Sequence, residues 1–272
     1  MKIDELFKVR GLSVLITGGA SGIGLAYAQA MAENGARLMV ADVNQEALAK
    51  TVAALAELGA EVAGERVDVT KRDDLDRVVA ATVARYGRID VVFVNAGISG
   101  GPGFLSADRT RNPERALEFI SDELWTRVLE TNLTSVFRTI QAVVPQMKRQ
   151  GGGRIIVTSS ISATKTEIYV GTAYVASKAG VAQFVRQAAI ELAKFNILVN
   201  AIAPGPVITN IGGGRLKESE ARKPFEAACP MHEVASPDDL KGAAIYLASP
   251  ASRFVTGAQI VVDGGVTLGE AD

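Results

Sequence analysis

At 272 residues the chain accommodates one large α/β domain or two small ones, with a substantial buried core. Its 48% hydrophobic and 22% charged residues are ordinary for a soluble globular enzyme, and 29 basic against 30 acidic residues give a net charge of −1. That balance argues against nucleic-acid or anionic-membrane partners. The lone Cys229 excludes an internal disulfide framework, and a bilayer-spanning run of about 18 apolar residues is lacking. Residues 1–10 contain no signal-peptide core, so a cytoplasmic, single-domain protein is expected.

Short β-branched runs alternate with longer amphipathic segments. Strands are predicted at Ser13–Thr17, Arg37–Ala41, Glu61–Val67, Val91–Asn95, Arg154–Ser159, Leu198–Ile202 and Gln259–Val262. Helices are predicted at Gly22–Asn34, Gln45–Leu58, Arg72–Tyr86, Asp122–Gln150, Ala173–Phe195 and Pro237–Leu247. Strands that are almost continuously apolar are buried on both faces, and the alternation implies parallel crossovers. The expected fold is therefore α/β, a doubly wound parallel sheet of seven strands with helices on both faces. Ser121 or Asp122 caps the long fourth helix, Gly151-Gly-Gly153 stops it, and Ser236 caps the helix opened by Pro237. Two stretches break the rhythm, 100–115 and 206–230, and loops of that length are usually functional. The second contains Gly212-Gly-Gly214 and predicts a mobile lid.

Thr17-Gly-Gly-Ala-Ser-Gly-Ile-Gly24 joins the first strand to the first helix. Such a turn brings backbone N–H groups and the positive end of a helix to a pyrophosphate. Gly18, Gly22 and Gly24 form the cradle, with Ser21 and Ile23 between them. Asp42 ends the second strand 18 residues after Gly24, where a carboxylate accepts hydrogen bonds from both ribose hydroxyls and repels a 2′-phosphate. No basic residue occupies positions 20, 21, 43 or 44 to offset that repulsion. The cofactor expected on this reading is NAD.

Tyr174 and Lys178 lie four apart and share a helix face. An ammonium there favours the phenolate of a group that otherwise titrates near pH 10. Thr158-Ser-Ser160 ends a strand upstream, where a serine hydroxyl can donate to a developing alkoxide. Asn132 sits in a helix for which asparagine is poorly suited, which suggests a local polar task.

Together these residues resemble the short-chain dehydrogenase/reductase family over about residues 11–266. The resemblance implies one Rossmann-like domain, its nucleotide-binding half near 11–150 and its catalytic and lid half near 151–266. It also implies that Asp68-Val69 contacts adenine, that Asn95-Ala96-Gly97 is the fourth-strand motif, and that Pro204-Gly205 flanks the cofactor. Val207 and Thr209 match positions that hold the nicotinamide carboxamide. Asn132, Ser160, Tyr174 and Lys178 match the catalytic tetrad: Tyr174 as acid/base, Ser160 steadying the substrate oxygen, Lys178 on the nicotinamide ribose and lowering the phenol pKa, and Asn132 helping to hold a water. The serine–tyrosine spacing is one residue longer than usual. Ser160 is preferred over Ser162, and Ser159 should point to the opposite face of its strand.

The implied reaction interconverts a secondary alcohol and a ketone; an NADPH-dependent carbonyl reductase such as a 3-oxoacyl reductase, or a non-catalytic NAD-binding protein, are the competing readings. The pocket is expected from 98–103, 161–172 and the lid. Arg109, Arg111 and Arg115 either clamp an anionic substrate or pair locally with Asp108, Glu114 and Glu118. His232, the only histidine, leaves no basis for a histidine triad or multi-histidine metal site. It either lines the substrate site or is a surface residue. Cys229 and Trp125 read as packing residues. Val128, Leu129, Val136 and Ile140 face either the core or another subunit, and the resemblance favours a homotetramer.

Overall fold

The computed structural model describes residues 2–106 and 110–269. Seven strands form one sheet: β1 (Ser13–Thr17), β2 (Arg37–Asp42), β3 (Val62–Arg66), β4 (Val91–Val94), β5 (Gly153–Thr158), β6 (Ile197–Pro204) and β7 (Gln259–Val262). Their order is β3-β2-β1-β4-β5-β6-β7, and every pairing is parallel. The helices are α1 (Ile3–Leu6), α2 (Gly22–Glu33), α3 (Gln45–Glu57), α4 (Arg72–Tyr86), α5 (Asp122–Leu129), α6 (Ser135–Arg149), α7 (Thr172–Leu192), α8 (Ser219–Ala227) and α9 (Lys241–Ala248).

Alternate strand residues feed two cores. Leu15, Met39, Val92 and Ile155 pack with Val78, Val143 and Val185 of α4, α6 and α7. Val14, Ile16, Leu38 and Phe93 pack with Met31, Leu48 and Leu247 of α2, α3 and α9. Each large side chain so buried stabilises the fold by about 1.5–3 kcal/mol. Strand order reverses between β1 and β4, and the carboxyl ends there open the crevice in which such sheets bind ligands.

Two expectations about regular structure need correction. The helix predicted over 122–150 is interrupted by a π-helical turn at Glu130–Thr134, which divides it into α5 and α6. Asn132 occupies the middle of that turn, because its side chain bonds a distant loop rather than its own helix. The predicted 206–230 loop contains α8, preceded by 3₁₀ turns over Ile211–Lys217 in which all three glycines take positive φ. Other punctuation follows the residue chemistry. Ser121 Oγ accepts the Leu124 amide at 3.2 Å, and Asp239 accepts the Ser236 amide at 2.7 Å. No helix among the described residues is long and apolar enough to cross a membrane.

Candidate active site

The crevice begins at the turn between β1 and α2. Gly24 packs so closely that a Cβ there would lie 2.1 Å from the Gly18 carbonyl oxygen and 2.4 Å from Asn95 Nδ2. At Gly18 a Cβ would lie 2.8 Å from Ala96 Cα. Ser21, at the N-cap of α2, makes no side-chain cap, so the first-turn amides around Gly22 and Ile23 remain available to an anion. Such a cradle fits a pyrophosphate. Gly24→Ala is expected to destabilise the fold by about 1–3 kcal/mol and to abolish detectable cofactor binding, measured by chemical denaturation and calorimetric titration.

Asp42 is oriented by two backbone donors: Oδ2 accepts from Ala20 N and Oδ1 from Asn44 N, each at 3.0 Å. It therefore clips β2 to the glycine turn while each oxygen keeps a further acceptor site for a ribose hydroxyl. Asp68 accepts both the amide and the hydroxyl of Thr70, at 3.0 and 2.7 Å. The Thr70 hydroxyl holds its carboxyl below the usual range. Val69 beside it is buried.

Beneath the cradle lies a polar knot. Thr17 Oγ1 accepts the Asn95 amide at 3.1 Å, Asn95 Nδ2 donates to the Gly18 carbonyl at 3.0 Å, and Thr158 Oγ1 donates to Asn95 Oδ1 at 2.9 Å. Ala96 and Gly97 continue from it. Thr17 and Thr158 have parts that motif reading does not assign, since a threonine ending a strand looks like ordinary β structure.

On the far side, a Cβ on Gly205 would approach Asp263 Cα to 2.9 Å. Gly205 and Pro204 thus turn the chain tightly off β6. Val207 is buried and bridges to Ala235, and Thr209 Cγ2 reaches 3.2 Å from the Cβ position of Gly22. These residues close the opposite wall of the crevice.

The four tetrad candidates converge at the end of β5. Lys178 is only 6% exposed, donates to the Thr158 carbonyl at 2.8 Å, and places Nζ 5.5 Å from the Tyr174 ring centroid. Burial pushes its ammonium down to about 8. Burial pushes the Tyr174 phenol up, Ser160 partly offsets this, and the charge of Glu167 adds to the rise. The lowered tyrosine pKa expected from Lys178 is therefore not what the protein's own groups produce, because desolvation outweighs them. Ser160 Oγ accepts the Ser162 amide and meets Ser162 Oγ, both at 3.1 Å. Ser159 points the other way, to Gln259 at 2.9 Å. Asn132 clasps one loop residue, accepting from Ile98 N at 2.8 Å and donating to Ile98 O at 2.9 Å, and its Nδ2 also donates to Ser177 Oγ of α7 at 3.4 Å. Its side chain holds Ile98, while the π turn in which it sits frees backbone groups from regular pairing.

Three segments meet over this centre. A Cβ on Gly100 would touch Tyr174 Cβ at 3.0 Å, Pro102 bridges Val170 antiparallel, and Gly212 of the lid lies 3.7 Å (from its Cβ position) from Ser99 Oγ. Of the arginines, Arg109 lies outside the described residues. Arg111 stacks over the Phe104 ring at 5.9 Å, and Arg115 approaches Gly101 beside a cavity lined by Pro102, Phe119, Ile120 and Leu124. That cavity includes none of the tetrad. Asp108, one of the expected partners, also lies outside the described residues, and among the described residues neither Arg111 nor Arg115 forms an ion pair. His232 is exposed. Cys229 is buried, its thiol 3.4 Å from the Gly264 carbonyl. Trp125 is partly exposed, whereas Val128, Val136 and Ile140 belong to the chain's own core.

A glycine cradle at the strand-order reversal and a buried lysine beside a half-buried tyrosine at the next strand end define a nucleotide-dependent oxidoreductase. The chain belongs to the short-chain dehydrogenase/reductase family. A family model described as enoyl-(acyl carrier protein) reductase matches residues 18–267. An L-rhamnose-1-dehydrogenase of Scheffersomyces stipitis is 37% identical over 265 residues, covering 95% of this chain and 96% of the relative. A 3-oxoacyl-[acyl-carrier-protein] reductase of Thermotoga maritima is 37% identical over 264 residues, covering 96% and 100%. A solved short-chain type dehydrogenase/reductase from Mycobacterium marinum superposes with TM-score 0.88 at 34% identity, covering 98% and 99% of the two chains. The protein is an enzyme acting on CH–OH groups that interconverts alcohols and ketones with a nicotinamide cofactor.

Proposed function

We propose that this enzyme is an NAD-specific secondary-alcohol dehydrogenase with Tyr174 as its acid/base. The carrying observation is Lys178 buried against Tyr174, with Ser160 beside them, at the strand end next to the glycine cradle. The Gly18–Gly24 turn, with Ser21 and Ile23, holds the pyrophosphate, Asp42 the adenosine ribose, and Asp68 and Val69 the adenine. Asn95, Ala96 and Gly97 form the floor. Pro204 and Gly205 shape the far wall, from which Val207 and Thr209 reach the carboxamide, while Lys178 reaches the second ribose.

When bound, the nicotinamide ring accepts or supplies the hydride. In the oxidative direction Tyr174 Oη takes the hydroxyl proton as hydride leaves the same carbon. Ser160 Oγ holds the oxygen as it becomes a carbonyl. In reduction Tyr174 returns the proton to that oxygen. The high phenol pKa set by burial suits it to act as the acid; positive charge close to the ring makes it a base.

A panel of secondary alcohols with NAD and with NADP, read by nicotinamide absorbance at alkaline pH, tests this. NAD is expected to be preferred at least about 10-fold in kcat/KM, and Asp42→Ala to erase that preference while weakening NAD binding. Equal use of both cofactors by the wild type would defeat the assignment. The second reading, an NADPH-dependent carbonyl reductase, draws on the protonated Tyr174 and on the Thermotoga maritima relative. It predicts the opposite cofactor preference. A homotetramer is the proposed assembly, supported by family membership and by Phe137, 45% exposed beside Phe184 on α6 and α7. Light scattering gives the mass.

A further inference from the structure

Three glycines meet partner backbone across the seam between the loop after β4 and the segment that leads into α7. A Cβ on Gly171 would fall on the Gly100 carbonyl oxygen. One on Gly103 would fall on the Ile168 carbonyl oxygen and lie 2.6 Å from Val170 N. On Gly100 it would lie 3.0 Å from Tyr174 Cβ and 3.1 Å from Tyr174 N. None of the three takes the left-handed φ that restricts a position to glycine. Gly171, at φ −61° and ψ 139°, has the extended backbone of an ordinary helix-capping residue. Close approach, not conformation, is what calls for glycine here.

The seam is also hydrogen-bonded. Gly171 N donates to the Gly101 carbonyl at 3.1 Å and Leu105 N to the Ile168 carbonyl at 3.2 Å, on either side of the Pro102–Val170 bridge. Gly171 O in turn accepts Tyr174 N at 3.0 Å in the first turn of α7. Tyr174 is thus held at its amide by Gly171 and met at Cβ by Gly100, with Lys178 beside its ring. A tyrosine ring is rigid, so any displacement of Cβ is carried to the hydroxyl at its far end.

We propose that Gly100 and Gly171 are positioning residues for the acid/base. Their bare backbones set where Tyr174 Oη stands, and a side chain at either position pushes the phenol off its line to the substrate oxygen. The inference rests on Tyr174 being the acid/base. Proton transfer needs its partners within about 2.6–3.2 Å, so the displacement falls on the chemical step. The atoms nearest to both positions belong to the seam and to Tyr174, not to the Gly18–Gly24 cradle, so cofactor affinity is spared.

Gly100→Ala is the decisive variant, because its contacts at 3.0 and 3.1 Å need only a small shift and the fold can absorb it. It is expected to lower kcat about 10-fold while the cofactor dissociation constant stays within about twofold of wild type. The solvent deuterium isotope effect on kcat should rise, because proton transfer through Tyr174 becomes the slow step. A merely structural loss would instead lower kcat in step with the folded fraction, measured by chemical denaturation, at an unchanged isotope effect. Gly171→Ala, whose Cβ meets backbone, should lose about 100-fold or fail to fold. Gly242→Ala on α9, where a Cβ meets nothing within 4 Å, is the control and should keep wild-type kinetics. A folded Gly100→Ala or Gly171→Ala with wild-type kcat, or a loss at an unchanged isotope effect, would overturn the proposal. Tyr174→Phe assayed alongside separates the two readings. Wild-type turnover by Tyr174→Phe removes the acid/base, whereas an inactive Tyr174→Phe beside an unaffected Gly100→Ala removes only the positioning role.

Discussion

Tyr174→Phe is expected to lower kcat by about 10²–10⁴-fold while leaving the dissociation constant for NAD within about threefold of wild type. The substitution keeps the Cβ that lies against Gly100 and the ring beside Lys178, and removes only the hydroxyl, the group proposed to exchange the substrate proton. Fold stability should be unchanged, because a buried hydroxyl that burial penalises gives way to an apolar edge of nearly the same shape. Steady-state turnover and calorimetric NAD titration on one preparation separate the two quantities. Turnover close to wild type would remove Tyr174 from the chemistry. A parallel collapse of NAD binding would make its role structural.

Lys178→Met is expected to abolish turnover and to stabilise the fold at neutral pH. The ammonium titrates near 8 in the native protein against an ordinary value of 10.5. Between these values the unfolded chain binds the proton and the native chain does not, so wild-type stability rises as pH increases through that window. Below about pH 8 the native state carries the full cost of a buried charge, about 3 kcal/mol for a shift of this size. Methionine fills the volume without charge but leaves the Thr158 carbonyl without its donor, so the net gain is roughly 1–2 kcal/mol. Chemical denaturation from pH 6 to 10 should show the variant more stable at the acidic end and the two curves converging toward pH 10. A variant less stable than wild type at pH 7 would show that the Thr158 hydrogen bond outweighs the buried charge.

Much of the architecture is legible in letters because it is carried by local pattern. The bounds of β1, β7 and α4 coincide with the periodicity, since uninterrupted apolar strands and an amphipathic helix leave one register. The glycine turn is legible for a similar reason: without Cβ atoms at 18 and 24 two backbones can touch. What escapes pattern reading depends on contacts between residues far apart in sequence. The π turn around Asn132 answers to Ile98, 34 positions away. Helix α8 has Pro224 within nine residues, a composition that reads as loop until Phe225 finds Tyr169. The tyrosine–lysine spacing suggests a lowered phenol pKa, yet burial, which sequence spacing does not report, has the larger effect.

The knot of Thr17, Asn95 and Thr158 ties three strand ends and the glycine turn into one body, so the cofactor half of the crevice cannot shift without loosening the sheet itself. The substrate half is fastened differently, by loop-to-loop contacts such as Leu105 N to Ile168 O and Pro102 with Val170. Mutation can therefore rewrite what the enzyme recognises while the machinery for moving a hydride is inherited unchanged. In this fold the freedom to acquire a new substrate and the obligation to keep the old cofactor are assigned to different residues.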